Sequence, residues 1–102
     1  MLIEPDSSAA AASASTGPAA GPLVGVRVIE ICSTIAGPAC ARLLADFGAD
    51  VIKIEPPEGD GVRQMGMHVG DVSLYAATLL RGKQSVVVDL KSSEGRALAL
   101  EM

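Results

Sequence analysis

Three short runs rich in β-branched residues, 26–31, 51–55 and 85–90, stand out along the chain, and the apolar stretch between the first two has helical length. Runs of this length bounded by turn formers predict strands. The stretch 39–47 predicts a helix: Pro38 stands in the first turn, where a missing N–H is tolerated, and Gly48 follows as a left-handed cap. Pro56-Pro57 ends the second strand because neither residue can donate to a ladder. Strand, helix and strand joined by short connections predict a right-handed βαβ unit with parallel strands. Residues 58–70 hold Gly59, Gly61, Gly66 and Gly70 without apolar rhythm, which predicts a loop. A short helix is expected over 73–80, capped by Asp71 or Ser73. A turn at 81–84 then leads to the third strand, and a last helix, capped by Ser93, runs from Glu94 to Met102.

Ahead of Pro22 this pattern is missing. Residues 1–21 are mostly Ala, Ser, Pro and Gly, without the basic and apolar regions of a secretory signal or the arginines of a transit peptide. They are expected to be a disordered tail or to reflect a misjudged start site. The folded part is expected over 22–102, as α/β with a Rossmann-like parallel sheet and flanking helices. Because the last helix is interrupted at Met102, the chain is expected to be the truncated N-terminal part of a larger domain.

The hydrophobic share is 49% but the aromatic share only 2%, so the core must be aliphatic. Ala-rich aliphatic composition suits helices packed on a parallel sheet. A net charge of -4 without a Lys/Arg cluster argues against nucleic acid as a partner. No apolar run approaches the roughly 18 residues of a membrane span, so no membrane partner is expected. Cys32 and Cys40 fit neither a CxxC pair nor a zinc knuckle, and are read as small buried residues in a reducing compartment.

Open parallel sheets bind ligands beyond the C-terminal ends of their strands. The three loops there, 32–38, 56–70 and 89–93, form a rim suited to an anionic or nucleotide-like ligand. The loop after the first strand reads Cys32-Ser33-Thr34-Ile35-Ala36-Gly37-Pro38 rather than GxGxxG, which disfavours NAD and FAD. Glu55 stands where a ribose-binding carboxylate would, yet reads as a solvated strand end. Lys91 and Arg63 could each reach a phosphate on the rim or be ordinary surface charges. His68 reads as an incidental loop residue. No nucleophile–base arrangement and no metal-ligand spacing is visible.

Several ordered stretches nevertheless resemble the opening of the family III CoA-transferases, which include formyl-CoA transferase, carnitine CoA-transferase and the α-methylacyl-CoA racemases. They are Pro22-Leu23-Val24-Gly25-Val26-Arg27-Val28-Ile29-Glu30, then Ala36-Gly37-Pro38, the run from Leu43 to Pro57, and the run from Arg81 to Gly95. The resemblance implies a large cytoplasmic α/β enzyme whose two subunits interlock as a homodimer, with this chain as part of the CoA-binding domain. It implies no permanently bound cofactor, with acyl-CoA and a carboxylic acid as substrates. An Asp well downstream of Met102 would attack the acyl-CoA carbonyl, so no catalytic residue is expected here and this stretch alone should be inactive. By position, Ile35 and Ala36 match the family's CoA contacts after the first strand, and Val88, Asp89, Leu90 and Lys91 match those after the third. Formyl-CoA transferase carries Gln at the place of Ile35 and Arg at the place of Pro56, which argues against formyl or oxalyl specificity. The alternatives are an acyl-CoA racemase or isomerase of the same family and a non-catalytic nucleotide-binding remnant.

Overall fold

Which side chains lie inside is decided by period-two alternation along the two central strands. In the computed structural model, which describes residues 2–5 and 20–102, the elements follow in this order: β1 (Leu2–Pro5), β2 (Val26–Glu30), α1 (Ala36–Asp46), β3 (Asp50–Glu55), a 3-10 turn over Gly61–Gln64, β4 (His68–Val69), β5 (Val72–Ser73), α2 (Leu74–Leu79), β6 (Lys83–Val87) and α3 (Ser93–Glu101). One sheet has the order β1-β2-β3-β6, and β4 and β5 form a separate antiparallel hairpin. β2, β3 and β6 are parallel, as the βαβ reading expects.

Register places Val28 beside Val51, Glu30 beside Lys53 and Ile54 beside Val86. Val28 and Val51 therefore share one face, where they pack with Ala41 and Leu44 of α1. Ile29, Ile52 and Ile54 occupy the other, where they pack with Val86 and Val88 and with Ala99 of α3. Both faces are thus covered, as a parallel sheet requires. Glu30, Lys53 and Glu55 continue the α1 face toward the C-terminal strand ends, so three charges are carried into the interior by alternation alone.

Several boundaries differ from the sequence reading. Residues 2–5 pair antiparallel with β2, an edge strand that the composition of 1–21 gives no sign of; the rest of that expected tail lies outside the described residues, save 20 and 21. The third parallel strand covers Lys83–Val87 rather than 85–90, because the Lys83 side chain is buried against Glu30 and Gln84 takes an exposed position of this outer strand. Helix α1 begins at Ala36 and keeps Pro38 in its first turn, α2 is capped by Ser73, and α3 is capped by Ser92 rather than Ser93. The expected loop over 58–70 contains the 3-10 turn and β4. Cys32 is half-buried and Cys40 exposed, so neither is the fully buried residue expected; both are free thiols. Among the described residues no helix is long and apolar enough to cross a membrane.

Candidate functional site

A cavity of about 500 Å³ opens beyond the C-terminal ends of the three parallel strands. Its walls are residues 31–33 after β2, Ile54 with 56–58 at the end of β3, and 88–91 after β6. Ile31, Ile54, Pro56, Pro57, Val88 and Leu90 make the lining mainly apolar, while Glu58, Asp89 and Lys91 stand at its polar edge. The structure thus brings together Val88, Asp89, Leu90 and Lys91. It does not bring Ile35 or Ala36 into the lining: Ile35 is the residue before α1 and Ala36 its first, both exposed.

Two close approaches shape the rim. A Cβ on Gly37 would stand 2.2 Å from Cys32 Sγ, so only glycine lets the first turn of α1 rest on the wall 31–33. A Cβ on Gly95 would stand 2.0 Å from the Asp89 carbonyl oxygen, so α3 sits directly over the wall 88–91. That carbonyl also accepts the backbone N–H and the hydroxyl of Ser92 at 3.1 and 2.8 Å. Arg96 donates to the Leu90 and Lys91 carbonyls at 3.2 and 2.9 Å, which adds a second cation beside Lys91. Among the described residues no carboxylate pairs with the Lys91 ammonium.

Beneath the walls lies a buried ion cluster that the sequence reading missed. Lys53 Nζ donates to Glu30 Oε1 at 2.8 Å and to the Cys32 carbonyl at 2.9 Å, and pairs with Asp60 Oδ2 at 2.7 Å. Lys83 Nζ pairs with Glu30 Oε2 at 2.8 Å and donates to the Pro38 carbonyl at 2.7 Å. Burial opposes the Lys53 charge, but the hydrogen bonds to Asp60 and Glu30 outweigh it and raise the ammonium above its ordinary value. For Asp60, burial is likewise outweighed by Lys53 and by the N–H groups of Val62 and Thr34, which lower the carboxyl. The visible signal was charge at alternate positions, 53 and 55, of an otherwise apolar parallel strand.

Glu55 is buried rather than solvated, and Arg63 is occupied by it. The guanidinium donates to Glu55 Oε1 and Oε2 at 2.8 and 2.6 Å, and the Ser85 hydroxyl donates to Oε2. Arg63, against burial and with help from Ser85 and the Asp60 N–H, holds the Glu55 carboxyl down at about 2. This value lies below the ordinary 4.5, so the folded state binds fewer protons than the unfolded chain. The pair's contribution is complete above pH ~4.5 and lost as the pH falls through about 2. We expect Glu55→Gln to remove about 2 to 3 kcal/mol of stability at neutral pH and to flatten the acid limb of stability against pH. Urea unfolding at a series of pH values checks this, and parallel curves for the two proteins would contradict it.

Burial and the neighbouring Glu30 push the Cys32 thiol up, which disfavours a thiolate nucleophile on the wall 31–33. His68, whose ring nitrogens lie 3.0 and 3.2 Å from the carbonyls of Gly66 and Arg63, is tied to its own loop. Among the described residues no cluster of His, Cys, Asp and Glu could hold a metal ion.

The family CoA-transferase family III matches residues 23–102. Succinyl-CoA–D-citramalate CoA-transferase of Chloroflexus aurantiacus is 49% identical over 79 residues, which are 76% of this chain and 20% of that protein. Acetyl-CoA:oxalate CoA-transferase of Acetobacter aceti is 47% identical over 83 residues, 80% of this chain and 21% of that protein. The crystal structure of a hypothetical protein of Mycobacterium tuberculosis superposes with a TM-score of 0.72 at 37% identity, covering 81% of this chain and 23% of that one. A CAIB/BAIF family protein of Brucella suis gives 0.65 at 38% identity, over 76% of this chain and 21% of its own. The chain spans about a fifth of the length of the relatives it matches.

Proposed function

The chain belongs to CoA-transferase family III, and from that premise we propose that its cavity seats the nucleotide half of an acyl-CoA in an enzyme that moves CoA to a carboxylic acid. The observation that carries this reading is the cavity at the C-terminal ends of β2, β3 and β6, with apolar walls and Lys91 at its edge. Apolar surface suits an adenine ring, and a cation at the edge suits the phosphates of the same ligand. Val88, Asp89, Leu90 and Lys91 supply one wall of the site; Ile35 and Ala36 stand on the same rim beside it.

These residues hold the ligand, and the covalent step falls to an aspartate beyond them. Its carboxylate would attack the acyl-CoA carbonyl, expelling the CoA thiolate and leaving a mixed anhydride. The thiolate would then attack the aspartyl carbonyl, freeing the first acid and giving an enzyme–CoA thioester. The acceptor carboxylate reverses the two steps. Transfer is favoured over racemisation because the relatives are named as CoA-transferases, for acids as different as citramalate, oxalate and glutarate. We propose a cytoplasmic homodimer, in keeping with two free thiols of which one is exposed.

Hydrogen exchange on the intact gene product, with and without CoA, tests the assignment. Added CoA should slow exchange in 31–33, 56–58 and 88–91 together. Slowing confined to other segments would remove the cavity from the CoA site.

A further inference from the structure

The buried cluster bears directly on the cavity, and, resting on the CoA reading above, we infer that Lys53 is a positioning residue that fixes the wall 31–33 for CoA without touching it. The Lys53 side chain is 1% exposed, and its three partners belong to three different segments. Glu30 is the last residue of β2, Cys32 is part of the cavity wall, and Asp60 opens the 3-10 turn after β3. An ammonium has three donors. All three are spent on joining the loop after β2 to the loop after β3.

Asp60 carries the link further. Its Oδ2 faces Lys53, while its Oδ1 accepts the N–H of Thr34 at 3.0 Å and of Val62 at 2.9 Å. Thr34 has φ +69°, a left-handed conformation that a β-branched residue seldom adopts. Such a residue persists only where its surroundings over-determine it. Here the Asp60 carboxylate holds its N–H from one side, and Lys53 holds the Cys32 carbonyl two residues earlier. The wall 31–33 is therefore held at Cys32 and just past its end at Thr34, by one ion pair.

Stability alone does not account for such a residue. Replacing a buried ion pair by well-packed apolar side chains is often neutral or stabilising, so the use of an ammonium at this place lies in the geometry it imposes. A wall free to take several positions would bind CoA only in the competent fraction, and the apparent affinity falls by that fraction.

Two substitutions separate this role from simple folding. Lys53→Met removes the link altogether. Asp60→Asn keeps an acceptor for the Thr34 and Val62 N–H groups but turns an amide N–H toward the ammonium, and so breaks only the Lys53–Asp60 tie. In the intact gene product without CoA, hydrogen exchange read at single amides should speed up tenfold or more at Thr34 in Lys53→Met, with Val28 and Val51 still protected. Both variants should bind CoA about tenfold more weakly, the double variant no worse than the weaker single one, because the two residues act as a unit. The KM for acyl-CoA should rise about tenfold with kcat nearly unchanged.

Unchanged Thr34 protection in Lys53→Met, or lost protection with CoA affinity kept within twofold, overturns the inference. So does loss of protection at Thr34, Val28 and Val51 together in both variants, which would make the cluster a stability element. If Lys53→Met does not fold, the CoA affinity and KM of Asp60→Asn decide. If the wild type binds no CoA, the functional reading and the binding role fall with it, while Thr34 exchange still reports whether the wall is pinned.

Discussion

Glu30→Ala should cost the intact gene product about 3 to 5 kcal/mol of stability. Glu30 is completely buried, and its two oxygens each meet a different ammonium, Lys53 and Lys83, at 2.8 Å. Both lysine side chains are 1% exposed, so neither can turn to water when the carboxylate is removed. The four-charge cluster Glu30, Lys53, Lys83 and Asp60 is neutral as it stands and becomes a buried net positive charge. An uncompensated buried charge costs far more than a lost surface pair. Against a total stability of roughly 5 to 15 kcal/mol, such a loss removes much of the margin. Urea unfolding measures it, and Glu30→Ala combined with Lys83→Met should be less destabilised than the sum of the single variants. A loss below about 1 kcal/mol would mean that water reaches the cluster.

The βαβ core was legible because its signals are local. Pro38, Gly48 and Pro56-Pro57 mark ends that the backbone must respect whatever packs around them, and α1 and β3 fall where those residues put them. The register was less legible, since the third strand's polar start at Lys83 and Gln84 reads as turn until its edge position is known. Lys83 is a strand residue because its side chain runs along the α1 face of the sheet to Glu30 and Pro38, 53 and 45 positions earlier. The short β1 was hidden by composition, as four residues carry too little pattern to outweigh the Ala/Ser stretch that follows.

The candidate site divides along the same line. Its location followed from parallel topology, because loops beyond the C-terminal strand ends converge wherever the strands are adjacent. The ion pairs behind its walls did not follow. Glu55 and Arg63 are eight residues apart, and Lys53 and Asp60 seven, across a loop without periodicity, so nothing in the sequence says which charges meet. Glu55, read as a solvated strand end, is buried because β3 has neighbours on both sides and α1 above. Ile35 and Ala36, which come from resemblance rather than geometry, stand on the first turn of α1, outside the lining.

Lys91→Ala should weaken CoA binding to the intact gene product by about ten- to a hundredfold. Lys91 stands just beyond β6, on the wall 88–91, exposed and beside the apolar lining. Its backbone is held in place: the N–H donates to Asp89 Oδ1 at 2.9 Å, and the carbonyl accepts from Arg96 at 2.9 Å. The side chain alone is left to meet a ligand, and its compact ammonium suits a phosphate as a point charge. A charge-assisted hydrogen bond is worth roughly 1.5 to 3 kcal/mol, which sets the expected range. Salt should shrink the difference between wild type and variant, since the contact is exposed to screening. Truncation leaves the backbone contacts of the wall intact, so thermal stability should move by less than about 0.5 kcal/mol. Titration calorimetry with CoA and dephospho-CoA locates the contact: if Lys91 meets the 3′-phosphate, the variant loses affinity for CoA but hardly for dephospho-CoA, and if it meets the pyrophosphate both suffer alike. Equal CoA affinity for wild type and variant would make Lys91 a surface charge, and the wall 88–91 would then have to act through its apolar side chains and backbone alone.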